Sequence, residues 1–151
     1  MKLTIGRKDK ADFPELKLTN ISCKIDTGAY TSTIHSHDIK EIIIDGEKYI
    51  EFQLLDPSHP KYREEKLKTK NFTKKNIKNS FGITEERFVI KTIIKIFENE
   101  YPIELSLSER SDMKNPILIG RTLLNNRFIV DTDQYNLSYK LKQQKRKKER
   151  K

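Results

Sequence analysis

The residues best suited to chemistry are Asp26, Thr27, Gly28 and Ala29, which close a run where Ile21, Cys23 and Ile25 alternate with Ser22, Lys24 and Asp26. That alternation is the period of a half-buried strand, so the Asp26 carboxylate falls at a strand-to-turn junction. A carboxylate held there can position and activate a water for attack on a peptide carbonyl. Thr27 offers a hydroxyl to fix the loop, and Gly28 lets the backbone turn tightly and approach the carboxylate. The triplet alone is also ordinary Asp-Xaa-Gly turn chemistry. A second feature is Leu118-Ile119-Gly120-Arg121, a hydrophobic-hydrophobic-Gly pattern that comes after a strand pair and precedes a helix-like segment.

Other chemistries find less support. The three histidines are His35, His37 and His59. His35-Ser36-His37 would place two rings on one face of a strand, with Asp38 as a conceivable third metal ligand, but no His-Glu-Xaa-Xaa-His pattern accompanies them. No metal and no cofactor are expected. The single cysteine, Cys23, cannot form an intrachain disulfide or a Cys-rich zinc site, and it lies on the apolar side of its strand as a small buried hydrophobe. No Ser-His-Asp or Cys-His arrangement can be built from the spacing. Arg121 is read equally as a partner for a carboxylate of the same or a partner subunit or as an exposed residue opening a short helix.

The elements that must hold Asp26 are short strands. Leu16 and Leu18 alternate upstream, and Ile42-Ile43-Ile44 and Tyr49 to Leu54 flank Asp45-Gly46, a strong hairpin signal. Residues 57–80 carry Pro57, Pro60 and many Lys and Asn without periodicity, which suggests a long basic loop or mobile insertion. A second block starts near Glu86. Phe88 to Phe97 is rich in β-branched residues, Ile103, Leu105 and Leu107 alternate with polar neighbours, and Glu98-Asn99-Glu100 joins the two as a hairpin. Pro116 to Gly120 forms a short strand, Thr122 to Asn126 a short helix, and Phe128-Ile129-Val130 a last strand. Asp131-Thr132-Asp133 does not read as a second copy of the first triplet, because it lacks Gly and comes after the second motif. No internal repeat is apparent.

The chain has 151 residues, enough for one domain, with 31 Lys and Arg against 22 Asp and Glu and a net charge of +9. Residues 61–80 and 142–151 each carry +6, which leaves −3 for the remainder. The body is therefore mildly acidic, and residues 141–151 read as a solvated, disordered basic tail. Nucleic-acid binding is not the expectation. No stretch approaches the ~20 apolar residues that cross a bilayer, and Met1 to Arg7 lacks a secretory pattern, so no membrane association and a cytoplasmic location are expected.

Taken together, these motifs resemble the retropepsin-like aspartic peptidases. They resemble more closely the bacterial family labelled ATP-dependent zinc proteases, associated with RimK and LysX and including RimB. The matching stretches are Ile5-Gly6-Arg7 with Pro14-Glu15-Leu16, Lys24 to Ser32, His35, Glu86-Arg87, Pro102 to Leu105, Asp112-Met113 and Ile117 to Arg121. The resemblance implies an all-β, retropepsin-like small closed barrel with one short helix over residues 1–140. It implies that Asp26, Thr27 and Gly28 are catalytic, with Ala29, His35, Gly120 and Arg121 supporting them. His35 is expected to hydrogen-bond near the Asp26 loop, and the Gly120 motif to pass behind it. Only one Asp-Thr-Gly is present, so the implied peptidase is a homodimer acting on a peptide or protein substrate, including acidic, glutamate-rich tails. The alternative is a catalytically silent binding module of the same fold, associated with an ATP-grasp ligase or RNA. The flap over such a cleft is either the Asp45-Gly46 hairpin or the 61–86 region.

Overall fold

A computed structural model describes residues 1–78, 81–109 and 115–149. The Asp112-Met113 stretch lies outside the described residues. Eleven strands form among them: β1 (Leu3–Ile5), β2 (Lys8–Phe13), β3 (Leu18–Ile25), β4 (Ser32–Ile44), β5 (Glu47–Leu54), β6 (Leu67–Thr69), β7 (Phe72–Lys78), β8 (Thr84–Ile96), β9 (Asn99–Ser108), β10 (Ile117–Ile119) and β11 (Phe128–Val130). The short helix α1 is Arg121–Leu124, and α2 is Leu137–Glu149.

Pairing closes a ring. From β10 the order runs through β3, β2, β8, β9 and β4, and β4 pairs again with β10. β10 lies between β3, to which it is parallel, and β4, to which it is antiparallel. A strand of three residues is thus hydrogen-bonded on both sides, which is why Ile117, Leu118 and Ile119 suffice to make one. The ring encloses Phe13, Ile21, Ile34, Ile90, Ile94, Leu105, Ile117 and Ile119, each less than 2% exposed. Burying each such side chain contributes roughly 1.5–3 kcal/mol before entropy is counted. β5, β6 and β7 extend from the ring, and β1 with β11 forms a separate two-stranded parallel sheet.

Both predicted hairpins form. Asp45 (φ 51°) and Gly46 (φ 80°) take the two left-handed positions between β4 and β5. Between β8 and β9 the left-handed pair is Phe97 and Glu98, one residue earlier than the sequence suggests.

Two expectations need correction. The supposed loop 57–80 contains β6 and β7, and β7 pairs with β8 over seven registered positions. Its few apolar residues hide the period, but Phe72 meets Phe88 edge-on at 6.0 Å and the ladder supplies the rest. Before it, residues 56–62 make a hydrogen-bonded turn. Asp56 Oδ1 accepts the Ser58 N–H at 2.9 Å and its hydroxyl at 2.6 Å, and Tyr62 stacks on His37.

The supposed disordered tail is the helix α2 through Glu149. Composition hides the reason, which lies in β2. Asp9 accepts the Ser138 N–H (2.9 Å) and the Tyr139 N–H (3.1 Å), capping the helix from a distant strand. Lys142 then pairs with Asp12 at 3.0 Å, and Lys145 with Glu98. Among the described residues, no helix is long and apolar enough to cross a membrane.

Candidate active site

The Asp26 loop leaves β3 and is held from behind by the segment just after β10. The Asp26 N–H donates to the Ile119 carbonyl at 2.9 Å, continuing the parallel β3–β10 ladder. Gly28 N–H donates to Asp26 Oδ1 at 3.1 Å and Ala29 N–H to the Asp26 carbonyl at 3.2 Å, so the loop closes on its own carboxylate. A Cβ at Gly28 would lie 3.3 Å from that oxygen, which makes room, more than backbone freedom, the reason for glycine.

Gly120 and Arg121 clamp the loop. The Gly120 N–H donates to Ser32 Oγ (3.0 Å), Arg121 N–H to the Ala29 carbonyl (2.8 Å) and Thr122 N–H to the Tyr30 carbonyl (3.0 Å). A Cβ at Gly120 would stand 2.8 Å from the Tyr30 carbonyl oxygen and 2.9 Å from that of Ala29. Glycine is required there by close approach, since its φ of −98° is open to any residue. Arg121 Nη1 donates to the Thr27 carbonyl at 2.9 Å, and its guanidinium lies 5.7 Å over the Tyr30 ring. The contact that ties Thr27 to this clamp is thus through its carbonyl. Among the described residues Arg121 makes no salt bridge, and its partners are the Thr27 carbonyl and the Tyr30 ring.

His35 is buried on β4, its N–H donates to the Pro116 carbonyl (2.8 Å), and its carbonyl accepts the Leu55 N–H (3.0 Å). With His37 it acts electrostatically on Asp56, whose carboxyl is held low first by the Ser58 hydroxyl and N–H. His35 and His37 thus stand beside the 56–62 turn. His59 is pushed below the usual histidine range, first by burial and then by Lys61. Among the described residues, no three or more His, Cys, Asp or Glu side chains gather to hold a metal ion. Cys23 is fully buried, and burial pushes its thiol up.

Sequence reasoning misses a second clamp of the same build. Ile5-Gly6-Arg7 stands behind Asp131-Thr132-Asp133-Gln134-Tyr135 as Ile119-Gly120-Arg121 stands behind Asp26 to Tyr30. The Asp131 N–H donates to the Ile5 carbonyl (2.8 Å), and Arg7 N–H to the Gln134 carbonyl (2.9 Å). Arg7 Nη1 reaches the Thr132 carbonyl (3.4 Å), its guanidinium lies 4.9 Å over Tyr135, and a Cβ at Gly6 would collide with the Gln134 carbonyl. In backbone geometry, then, Asp131-Thr132-Asp133 is a copy of the first loop after all. The recurring Ile-Gly-Arg and Asp-Thr pairs were the available signal.

The chemistry of the two loops differs. Asp131 has both oxygens engaged, Oδ1 by the Asp133 N–H (3.0 Å) and Oδ2 by Gln134 Nε2 (2.8 Å). These bonds, the Gln134 amide first, hold its carboxyl below the usual range. At Asp26, Gly28 engages Oδ1, and no hydrogen bond to Oδ2 occurs among the described residues.

Comparison with known proteins agrees with this architecture. Residues 4–140 match the family described as RimB-like, retropepsin-like aspartic endopeptidase RimB. A Desulfotalea psychrophila protein named probable alpha-L-glutamate ligase is 35% identical over 130 residues, and one of the same name from Shewanella pealeana is 34% identical over 134. Each alignment covers 86% of this chain but 28% of the relative, so the chain spans little more than a quarter of their length. The crystal structure of Lpg0085, a Legionella pneumophila protein of unknown function, superposes with a TM-score of 0.72 over 91% of this chain and 99% of that one. At 24% identity that likeness speaks for the fold alone. The mostly β ring, its short helix and the match across residues 4–140 place this chain in the RimB-like family of retropepsin-like aspartic endopeptidases.

Proposed function

We propose that the protein is an aspartic-type peptidase that works as a homodimer, each subunit contributing one Asp26, and that it trims acidic, glutamate-rich peptide tails. The observation that carries this reading is the clamped Asp26 loop, where Gly120 and Arg121 grip the backbone while one carboxylate oxygen keeps its lone pairs available. Two such carboxylates brought together resist double ionisation and share a proton. The ionised one takes a proton from a water that attacks the scissile carbonyl carbon. The protonated one donates to the carbonyl oxygen, giving a tetrahedral gem-diol. Collapse breaks the C–N bond as the leaving amine takes the proton from one carboxyl and a gem-diol hydroxyl gives its proton to the other carboxylate, so that the two carboxyls again hold one proton between them. Thr27, Gly28 and Ala29 position the carboxylate, and Arg121 fixes the loop through the Thr27 carbonyl.

The acidic substrate is supported by the relatives' names, probable alpha-L-glutamate ligase, which point to L-glutamate as the unit being joined. The same names favour a second reading, in which the domain is a catalytically silent module that binds the product or the ligase itself.

Incubation with oligo-glutamate-tailed and generic peptides from acidic to neutral pH separates the two readings. Cleavage by the wild type and none by a folded Asp26→Asn variant is expected. Equal cleavage by both, or its loss on EDTA treatment alone, overturns the aspartic mechanism. Sedimentation of the active species as a strict monomer overturns the dimer.

A further inference from the structure

Beside the Asp26 loop the fold gathers cations that make no salt bridge among the described residues, although Lys140 lies within electrostatic reach of Asp9. Lys8 and Lys24 are direct cross-strand partners in the β2–β3 ladder, and Lys24 precedes Asp26 by two positions on the same strand face. Like charges directly opposite repel. Arg7, whose carbonyl accepts the Ile25 N–H, lies next to them. Arg7, Lys8 and Lys140 converge on the single ring of Tyr135, at 4.9, 5.4 and 4.4 Å from its centroid. Lys140 comes from α2 and is brought there by the Asp9 cap.

Among the described residues the salt bridges of this region use Lys142 and Lys145, and none involves Arg7, Lys8, Lys24 or Lys140. The hydrogen-bonding capacity of the nearby carboxylates goes elsewhere: Asp9 accepts Lys10, Ser138 and Tyr139 N–H groups and acts on Lys140 only through its field, and Asp131 accepts from Asp133 and Gln134. The contrast with the other basic region is direct, since on β7 Lys74 and Lys75 pair with Glu41 and Glu104.

We propose that Arg7, Lys8 and Lys140, assembled on Tyr135, form with Lys24 beside Lys8 a docking surface for the acidic run of a peptide whose scissile bond lies at Asp26. The inference rests on the acidic-substrate reading above for the nature of the chain, but not on cleavage. An extended peptide carrying a carboxylate at every residue suits cations supplied by two adjacent strands and a helix. The surface adjoins the catalytic loop at Lys24 and Ile25.

The test is fluorescence anisotropy with a fluorescein-labelled decaglutamate peptide at low salt, in the Asp26→Asn background, so that binding is read without hydrolysis. Lys8→Glu with Lys140→Glu is expected to weaken binding at least about tenfold, with a steep salt dependence. Lys48→Glu with Lys78→Glu, the same charge change on β5 and β7, is expected to change it less than about twofold. Lys8→Gln with Lys140→Gln replaces the reversal pair if the latter fails to fold by circular dichroism.

Equal losses from both pairs, no loss from the first, or no binding of decaglutamate overturns the proposal. Tighter, patch-dependent binding of a decauridylate overturns it in favour of nucleic acid. Patch-dependent decaglutamate binding by a wild type that cleaves nothing leaves the surface standing and removes only the peptidase reading.

Discussion

The loops at Asp26 and Asp131 are built alike and equipped differently. Each starts with an Asp whose N–H joins a parallel neighbour strand, each is backed by Ile-Gly-Arg, and in each the arginine donates to the Thr carbonyl and covers a Tyr ring. The difference is one of side chains. Gln134 reaches back to the second oxygen of Asp131, whereas Ala29 at the corresponding place cannot. At Asp131 the donors on both oxygens favour the charged form and hold the carboxyl below the usual range. At Asp26 only Oδ1 accepts a hydrogen bond among the described residues. The exits from the two loops also diverge, since Ser32 continues into the ring through β4 while Tyr135 leads into α2. The lesson is that a loop scaffold and its chemistry are separable, and that the scaffold here occurs twice in one chain.

That comparison can be broken most forcefully at the two carboxylates. Asp26→Asn is expected to abolish peptide cleavage with the fold retained by circular dichroism, while Asp131→Asn keeps cleavage. Loss of activity in both would mean that the second loop takes part in the chemistry. The glycines come next. Gly6→Ala and Gly120→Ala each press a methyl into backbone carbonyls and are expected to cost about 3 and 2 kcal/mol in urea unfolding, the order of overpacking effects. Reversal of that order would show the Gln134 turn to be the softer of the two.

Asp9→Ala should remove about 1 kcal/mol by uncapping α2, with loss of helical signal and no change in the Asp26 loop. The smallest effects are in pH dependence, and they run in opposite directions. Burial raises the Asp9 carboxyl above the ordinary aspartate value, so its contribution to stability is full below that value and fades as pH rises through the raised one. Asp131 is lowered, so its contribution is present above the ordinary value and is lost as pH falls through the depressed one. Thermal melts from acidic to neutral pH should show Asp9→Asn removing the first dependence and Asp131→Asn the second.

Much of this was legible in residue order because the signals are local. The alternation at Ile21, Cys23 and Ile25 makes β3, and positive φ at Asp45 and Gly46 makes the first hairpin. Gly120, preceded by three apolar residues, marks the strand that passes behind Asp26. Residue order alone does not give the backbone partners of His35, which come from distant segments. His35 bonds to Pro116 and Leu55, several residues from the clamp.

By itself, then, the sequence determined a short-stranded β domain with one Asp-Thr-Gly loop and the hydrophobic-Gly segment that goes with it. Periodicity and turn chemistry act between near neighbours, and they carry that much. Only the tertiary structure decided that the basic tail is a helix, that residues 67–78 pair as strands, and that Arg7 with Asp131 repeats the Asp26 clamp. Each of these depends on a partner far along the chain: Asp9 for α2, β8 for β7, and Gln134 for Gly6. A carboxylate that caps a helix from a distant strand leaves no periodic trace, and neither do three cations that meet on one tyrosine.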